Sequence, residues 1–179
     1  MTNQQDDLAG SGASIEPFIH LDEYPFVICR SCSVGIIARE VMNHLESKHS
    51  QVDPRDQRRI NAAVMTMNGV AKDQAELCGW TLPPPTIRPI AYIKAPKNDG
   101  LGCRHCTYVV RDRSQMKKHY RVQHGLTNGP KRTGSARRGT RRGQEEAVPW
   151  RVGVQCQRMC NWGHGNRWFE VGQVKEGGA

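Results

Sequence analysis

Apolar positions come in short groups along this chain, and their period changes from group to group. Phe26, Val27 and Ile28 lead into Cys29, and Val34, Ile36 and Ile37 follow Cys32, as in two short strands around a two-cysteine turn. Val41 and Leu45 then fall one helical turn apart, which predicts a helix from about residue 38 to 48 with His44 and His49 near its end. Asp53 is a good N-cap and Pro54 a good first helical residue. Ile60, Val64, Met67 and Ala71 follow at helical spacing, weakened at Gly69 and ended at Gly79. That stripe reads as core packing against the flanking segments. The run LPPPTIRPI, with four prolines, must then be extended. After residue 148 the period becomes two: Val152, Val154 and Cys156 alternate with polar neighbours, as do Phe169 and Val171 with Trp168 and Glu170. The residues from Gly163 to Asn166 turn between them, so a β-hairpin is predicted, packed on the rest of the chain or on sequence beyond it.

Composition narrows what these groups can build. Of 179 residues 37% are hydrophobic, and no group is long enough for one large core, so small modules are expected. No run approaches the roughly 20 apolar residues of a membrane helix. The N-terminus MTNQQDDLAGSGAS is polar and acidic, without a hydrophobic signal segment, so an intracellular chain with no membrane contact is expected. The formal net charge is +9, and six positive charges with no acidic neighbour cluster at Lys131, Arg132, Arg137, Arg138, Arg141 and Arg142. This Gly- and Arg-rich stretch reads as a disordered linker, serving either as a phosphate-contacting or nuclear-import element or as a solvated tether.

Seven cysteines bring in the chemistry. Four form two C-x2-C pairs, each followed by a histidine pair, and in a chain without a secretion signal that favours metal over disulfides. Cys103, Cys106, His119 and His124 stand as C-x2-C-x12-H-x4-H, and Cys29, Cys32, His44 and His49 repeat the pattern one residue shorter. Each half delivers two ligands to a closed tetrahedral Zn2+ site, so two zinc ions are expected. Val110 and Met116 fall at the two small-core positions of the second finger, where a thinner core is expected, and Ile36 and Val41 at those of the first. Cys156, Cys160 and His164 supply only three ligands at C-x3-C-x3-H, and a third zinc is not expected there. His20 and His105 read as non-ligands and Cys78 as a buried thiol.

The fold class that follows is small α+β: two ββα zinc-finger-like units joined by a helical, proline-rich segment, with a C-terminal β-hairpin and disordered termini and linker. The boundaries are 1–17 for the disordered N-terminus, 18–50 and 103–125 for the fingers, 51–102 for the connector, 126–147 for the basic linker, 148–174 for the hairpin and 175–179 for the tail. The segments YPFVICRSC, HLESKH, GLGCRHCTY, MKKHYRVQH and VGVQCQRMCNWGHGNRWFEV together resemble the domain named after the D protein of fungal orsellinic-acid gene clusters, over Tyr24 to Val174. That resemblance implies zinc binding and supplies no mechanism.

Two thiolates and two neutral imidazoles fill the coordination sphere of zinc and leave no position to activate water, so a structural metal and no enzymatic activity are expected. The sequence also lacks a Gly-rich phosphate loop and an H-E-x-x-H motif. On the second finger, Asp112, Gln115 and Lys118 occupy the base-reading positions. The first finger has Ile37, Glu40 and Asn43 there, a poor set. Fingers stepping 3 base pairs along a groove need a short linker, whereas residues 50–102 intervene here. One finger with the basic tail, acting on DNA or RNA in the nucleus, is the expected mode. The alternative is a zinc-stabilised protein–protein interaction module without sequence-specific DNA binding, or a fragment of a larger fungal or mobile-element-derived protein. Nothing in the pattern sets an oligomeric state.

Overall fold

The computed structural model describes residues 14–125 and 148–173. The N-terminus to residue 13, the basic stretch with Lys131, Arg132, Arg137, Arg138, Arg141 and Arg142, and the tail from residue 174 lie outside the described residues. The chain divides at Trp80/Thr81 into two units. Residues 51–102 contribute to both.

In unit 1, the apolar run before Cys29 forms the middle of an antiparallel sheet. β1 (Phe18–His20), β2 (Val27–Cys29) and β3 (Val34–Ile36) lie in that order, with Phe18 opposite Cys29 and Val27 opposite Ile36. β2 is buried at all three residues because it has neighbours on both edges. A 3-10 turn, Ala38–Glu40, leads into α1 (Val41–Lys48), whose Val41 and Leu45 are fully buried. α2 (Pro54–Thr66) starts as the sequence predicts, with the Asp53 carboxylate accepting the Arg55 N–H at 2.7 Å. Its Ile60 and Val64 join Phe18, Val27, Val41 and Leu45 in one core.

The helix does not reach Gly79. It ends at Thr66; Met67 is extended and Gly69 takes φ +79°. Val70 and Ala71 are buried on the other side of that turn, where the chain runs beside the first finger. There the Ala38 and Arg39 N–H groups donate to the Ala71 and Lys72 carbonyls at 2.9 and 3.2 Å. The N–H groups at a helix start lack intrahelical acceptors, and this returning segment satisfies two of them. The Lys72 ammonium turns back to the Met67 carbonyl at 2.6 Å, at the end of α2. Cys78 is exposed, contrary to its reading as a buried thiol: Leu77 takes the inward position beside it.

Unit 2 holds a four-stranded antiparallel sheet ordered β5-β4-β6-β7, with β4 Lys97–Gly102, β5 Val109–Val110, β6 Arg151–Gln157 and β7 Phe169–Glu170. β4 and β5 are the hairpin of the second finger, and α3 (Arg113–His124) follows. The C-terminal hairpin is present as β6 and β7, with Cys156 opposite Glu170, and β6 extends the finger's sheet by pairing with β4. The register shifts on either side of Gly100, where a Cβ would lie 2.5 Å from the Val154 carbonyl oxygen, so only glycine allows the strands to meet.

Buried Gln157 fastens the proline-rich segment to this sheet. Its amide oxygen accepts the Ile90 N–H at 2.7 Å and its amide nitrogen donates to the Ile90 and Lys94 carbonyls. The segment is not wholly extended, since Ile87 N–H closes a turn on Pro84. The finger's core is fuller than Val110 and Met116 alone imply. Leu101, Tyr120 and Trp150 complete it, Trp150 arriving from beyond residue 147.

Candidate metal centres

Each ligand set is assembled from a strand end, a turn and a helix end. Cys29 closes β2, and Cys32 follows in a turn where Ser33 takes φ +53°. His44 lies within α1, whereas His49 lies just past it with φ −134°, outside helical geometry. Five positions on an ideal helix separate two side chains by about 140°, yet both pairs converge, His49 from just past the end of its helix and His124 from the last residue of its own. In unit 2, Cys103 and Cys106 flank the turn between β4 and β5. His119 and His124 both sit on α3, which Gly125 terminates with a left-handed φ of 63°.

Cys29, Cys32, His44 and His49 place one ligand atom each within 4.8 Å of one another, and so do Cys103, Cys106, His119 and His124. The closest approaches are Cys29 Sγ to His49 Nε2 at 3.2 Å, Cys32 Sγ to His49 Nε2 at 3.4 Å, Cys103 Sγ to His124 Nε2 at 3.3 Å, Cys106 Sγ to His119 Nε2 at 3.3 Å and His119 Nε2 to His124 Nε2 at 3.3 Å. Zinc bonds of about 2.3 Å to sulfur and about 2.0 Å to nitrogen put tetrahedral neighbours roughly 3.3–3.8 Å apart. The observed contacts approach the edges of such a tetrahedron.

His44 tests that fit. Its Nε2 is buried and, among the described residues, has no hydrogen-bond partner, which is costly for a polar atom unless a metal takes its lone pair. Burial first, then His49 and Lys48 nearby, push its pKa down to about 4, so it presents the neutral ring that a metal requires. Burial alone would raise the Cys103 thiol. The His105 N–H, 3.3 Å from its sulfur, and the side chain and N–H of Cys106 reverse that, and Cys103 ends below the usual thiol range. Both groups can hold zinc, and their two thiolates would balance its charge.

Among the described residues no third group forms. Cys156 and Cys160 are buried and His164 is exposed, and the three do not converge. Burial raises the Cys156 thiol to about 11, far from the thiolate a metal needs. His20 instead approaches the Tyr24 carbonyl, and His105 makes ring contacts with Tyr120 and His124.

The family model described as orsellinic acid/F9775 biosynthesis cluster protein D matches residues 16–125, well over half of the chain. The chain belongs to that family. The match takes in both ligand sets and ends before β6 and β7. No curated protein and no solved structure matches the chain.

In this member of the family the two helix starts face different surroundings. Gln115 and Lys118 are exposed on α3. Asp112 is engaged as its N-cap, its Oδ1 accepting the Gln115 N–H at 2.8 Å and the Ser114 hydroxyl. In unit 1 the chain itself covers the start of the equivalent face and leaves Asn43 exposed: Ile37 is 2% exposed, Gln74 reaches Glu40, and Asp73 pairs with Arg39. No helix among the described residues is long and apolar enough to cross a membrane. Tyr120 falls one helical turn beyond Met116, so the helix period carries a signal of its burial, whereas Trp150 lies too far along the chain for spacing to place it beside the second ligand set.

Proposed function

We propose that the protein is a non-enzymatic, nuclear nucleic-acid-binding protein with structural zinc, in which unit 2 makes the contacts. The observation that carries this reading is the contrast between the helix starts. The α1 start is roofed by residues 70–74, whereas the α3 start is open, with Arg113, Lys117, Lys118 and Arg121 on the helix and no acidic residue between Arg113 and His124. A basic helix face beside a finger suits phosphate contact with limited base readout. The arginines and lysine from Lys131 to Arg142 would add sequence-independent contacts. Replacing Gln115 and Lys118 together by alanine is expected to weaken duplex DNA binding roughly tenfold at low salt and to flatten the salt dependence by about one counterion. Affinity unchanged at low salt would assign the protein to protein–protein contact instead. That second reading is favoured for unit 1, whose finger surface is already packed against its own chain and whose zinc would then serve an interaction module.

A further inference from the structure

The loop between β6 and β7 carries an aromatic side chain on a braced support. Trp162 is 47% exposed at its tip. Behind it, Met159 and Cys160 are buried, the Cys160 N–H donates to the Gly165 carbonyl, and the Asn166 N–H donates to the Gly163 carbonyl. The Arg158 guanidinium forks to the side-chain oxygens of Asn161 and Asn166 at 3.1 and 3.0 Å, holding both sides of the loop. A large apolar side chain left in water on an ordered loop is suited to a partner with a flat apolar face.

This loop is joined to the α3 start. The Arg111 guanidinium, immediately before the N-cap, lies 5.0 Å from the centre of the Trp168 ring, and that of Arg158 lies 4.9 Å from the same ring. Trp168 therefore links the support of the Trp162 loop to the open end of the finger helix. Arg111 is itself held by the Asp99 carboxylate, so the positive charge left for a ligand comes from the β6–β7 loop and from α3. Between Arg151 and Phe169 the sequence has Arg158, Arg167 and His164 and no aspartate or glutamate, as in α3.

We infer that Trp162 is a stacking platform for an unpaired nucleobase, on a strand whose phosphates are held by the surrounding arginines and the basic face of α3. A duplex hides its base faces within its own stack, so this aromatic adds affinity only where a base is unstacked. Stacking together with a cationic track is the usual physics of single-strand binding. The inference rests on the nucleic-acid reading above and adds the preferred form of the partner.

The test compares full-length zinc-loaded protein with W162A and W162Y, on a mixed-sequence 20-nucleotide DNA strand and on its duplex. W162A should lose roughly five- to a hundredfold in single-strand affinity, with duplex affinity and thermal midpoint unchanged, and W162Y should recover most of the loss. Single-strand affinity unchanged in W162A, or an equal loss on both probes, overturns the inference while leaving the nucleic-acid reading in place. Wild-type protein that binds neither probe overturns both. If W162A binds the strand normally but no longer adheres to phosphatidylserine/phosphatidylcholine vesicles, the tip belongs to a membrane surface and the inference is overturned.

Discussion

Chelation of zinc at neutral pH is expected to unfold both fingers, with loss of the helical circular dichroism signal and of two zinc ions per chain in native mass spectrometry. Each ligand set ties a two-stranded turn to the end of a helix, and in unit 1 metal removal leaves the buried His44 Nε2 without a partner. Zinc binding in finger peptides is worth about 10–16 kcal/mol, as much as the entire folding stability of a small domain, roughly 5–15 kcal/mol. The apolar clusters beside the ligands cannot offset such a loss. C29S and C103S should each remove one zinc ion while leaving the other, because the sets lie in separate units. A circular dichroism spectrum unaffected by chelator would sink the structural role of the metal. Three ions per chain would return Cys156, Cys160 and His164 to consideration.

Truncating Tyr120 is expected to be the most damaging single change away from the ligands. Its ring is 0% exposed, edge-on to His105 and tilted against Trp150. Its hydroxyl donates to the Pro149 carbonyl at 2.6 Å and accepts the Arg104 N–H at 3.1 Å. One side chain thus joins α3, the cysteine turn and the start of β6. Y120A should cost about 3–5 kcal/mol, the usual loss for a large buried aromatic. Y120F should cost about 0.5–1.5 kcal/mol, the usual net worth of a hydrogen bond, because the Arg104 N–H and Pro149 carbonyl belong to exposed residues and can turn to water. Urea unfolding of the zinc-loaded protein measures both. A Y120A midpoint close to that of wild type would show that the finger does not depend on the C-terminal strand.

The ligand sets were legible because metal geometry is expressed in spacing. A cysteine pair three positions apart and a histidine pair five apart can meet one ion only if a turn and a helix end lie between them. The strands around Cys29, the start of α2 at Asp53 and the C-terminal hairpin were legible for a similar reason, since each depends on residues near in sequence. The end of α2 was not. Met67 and Ala71 continue the period of Ile60 and Val64, but acceptors for the Ala38 and Arg39 N–H groups draw residues 70–72 back across the first finger.

The sequence by itself therefore determined the metal chemistry, the number of fingers and the family, all of which rest on residue type and short-range spacing. Tertiary structure decided which finger face stays open. Glu40 and Gln115 occupy equivalent positions by spacing, but Gln74 reaches across the half-buried Glu40, whereas Gln115 is exposed. It also decided that β6 joins β4 and that Trp168 sits beside both Arg111 and Arg158. Such pairings are set by burial and by backbone groups seeking partners across long separations, and local periodicity carries no record of them.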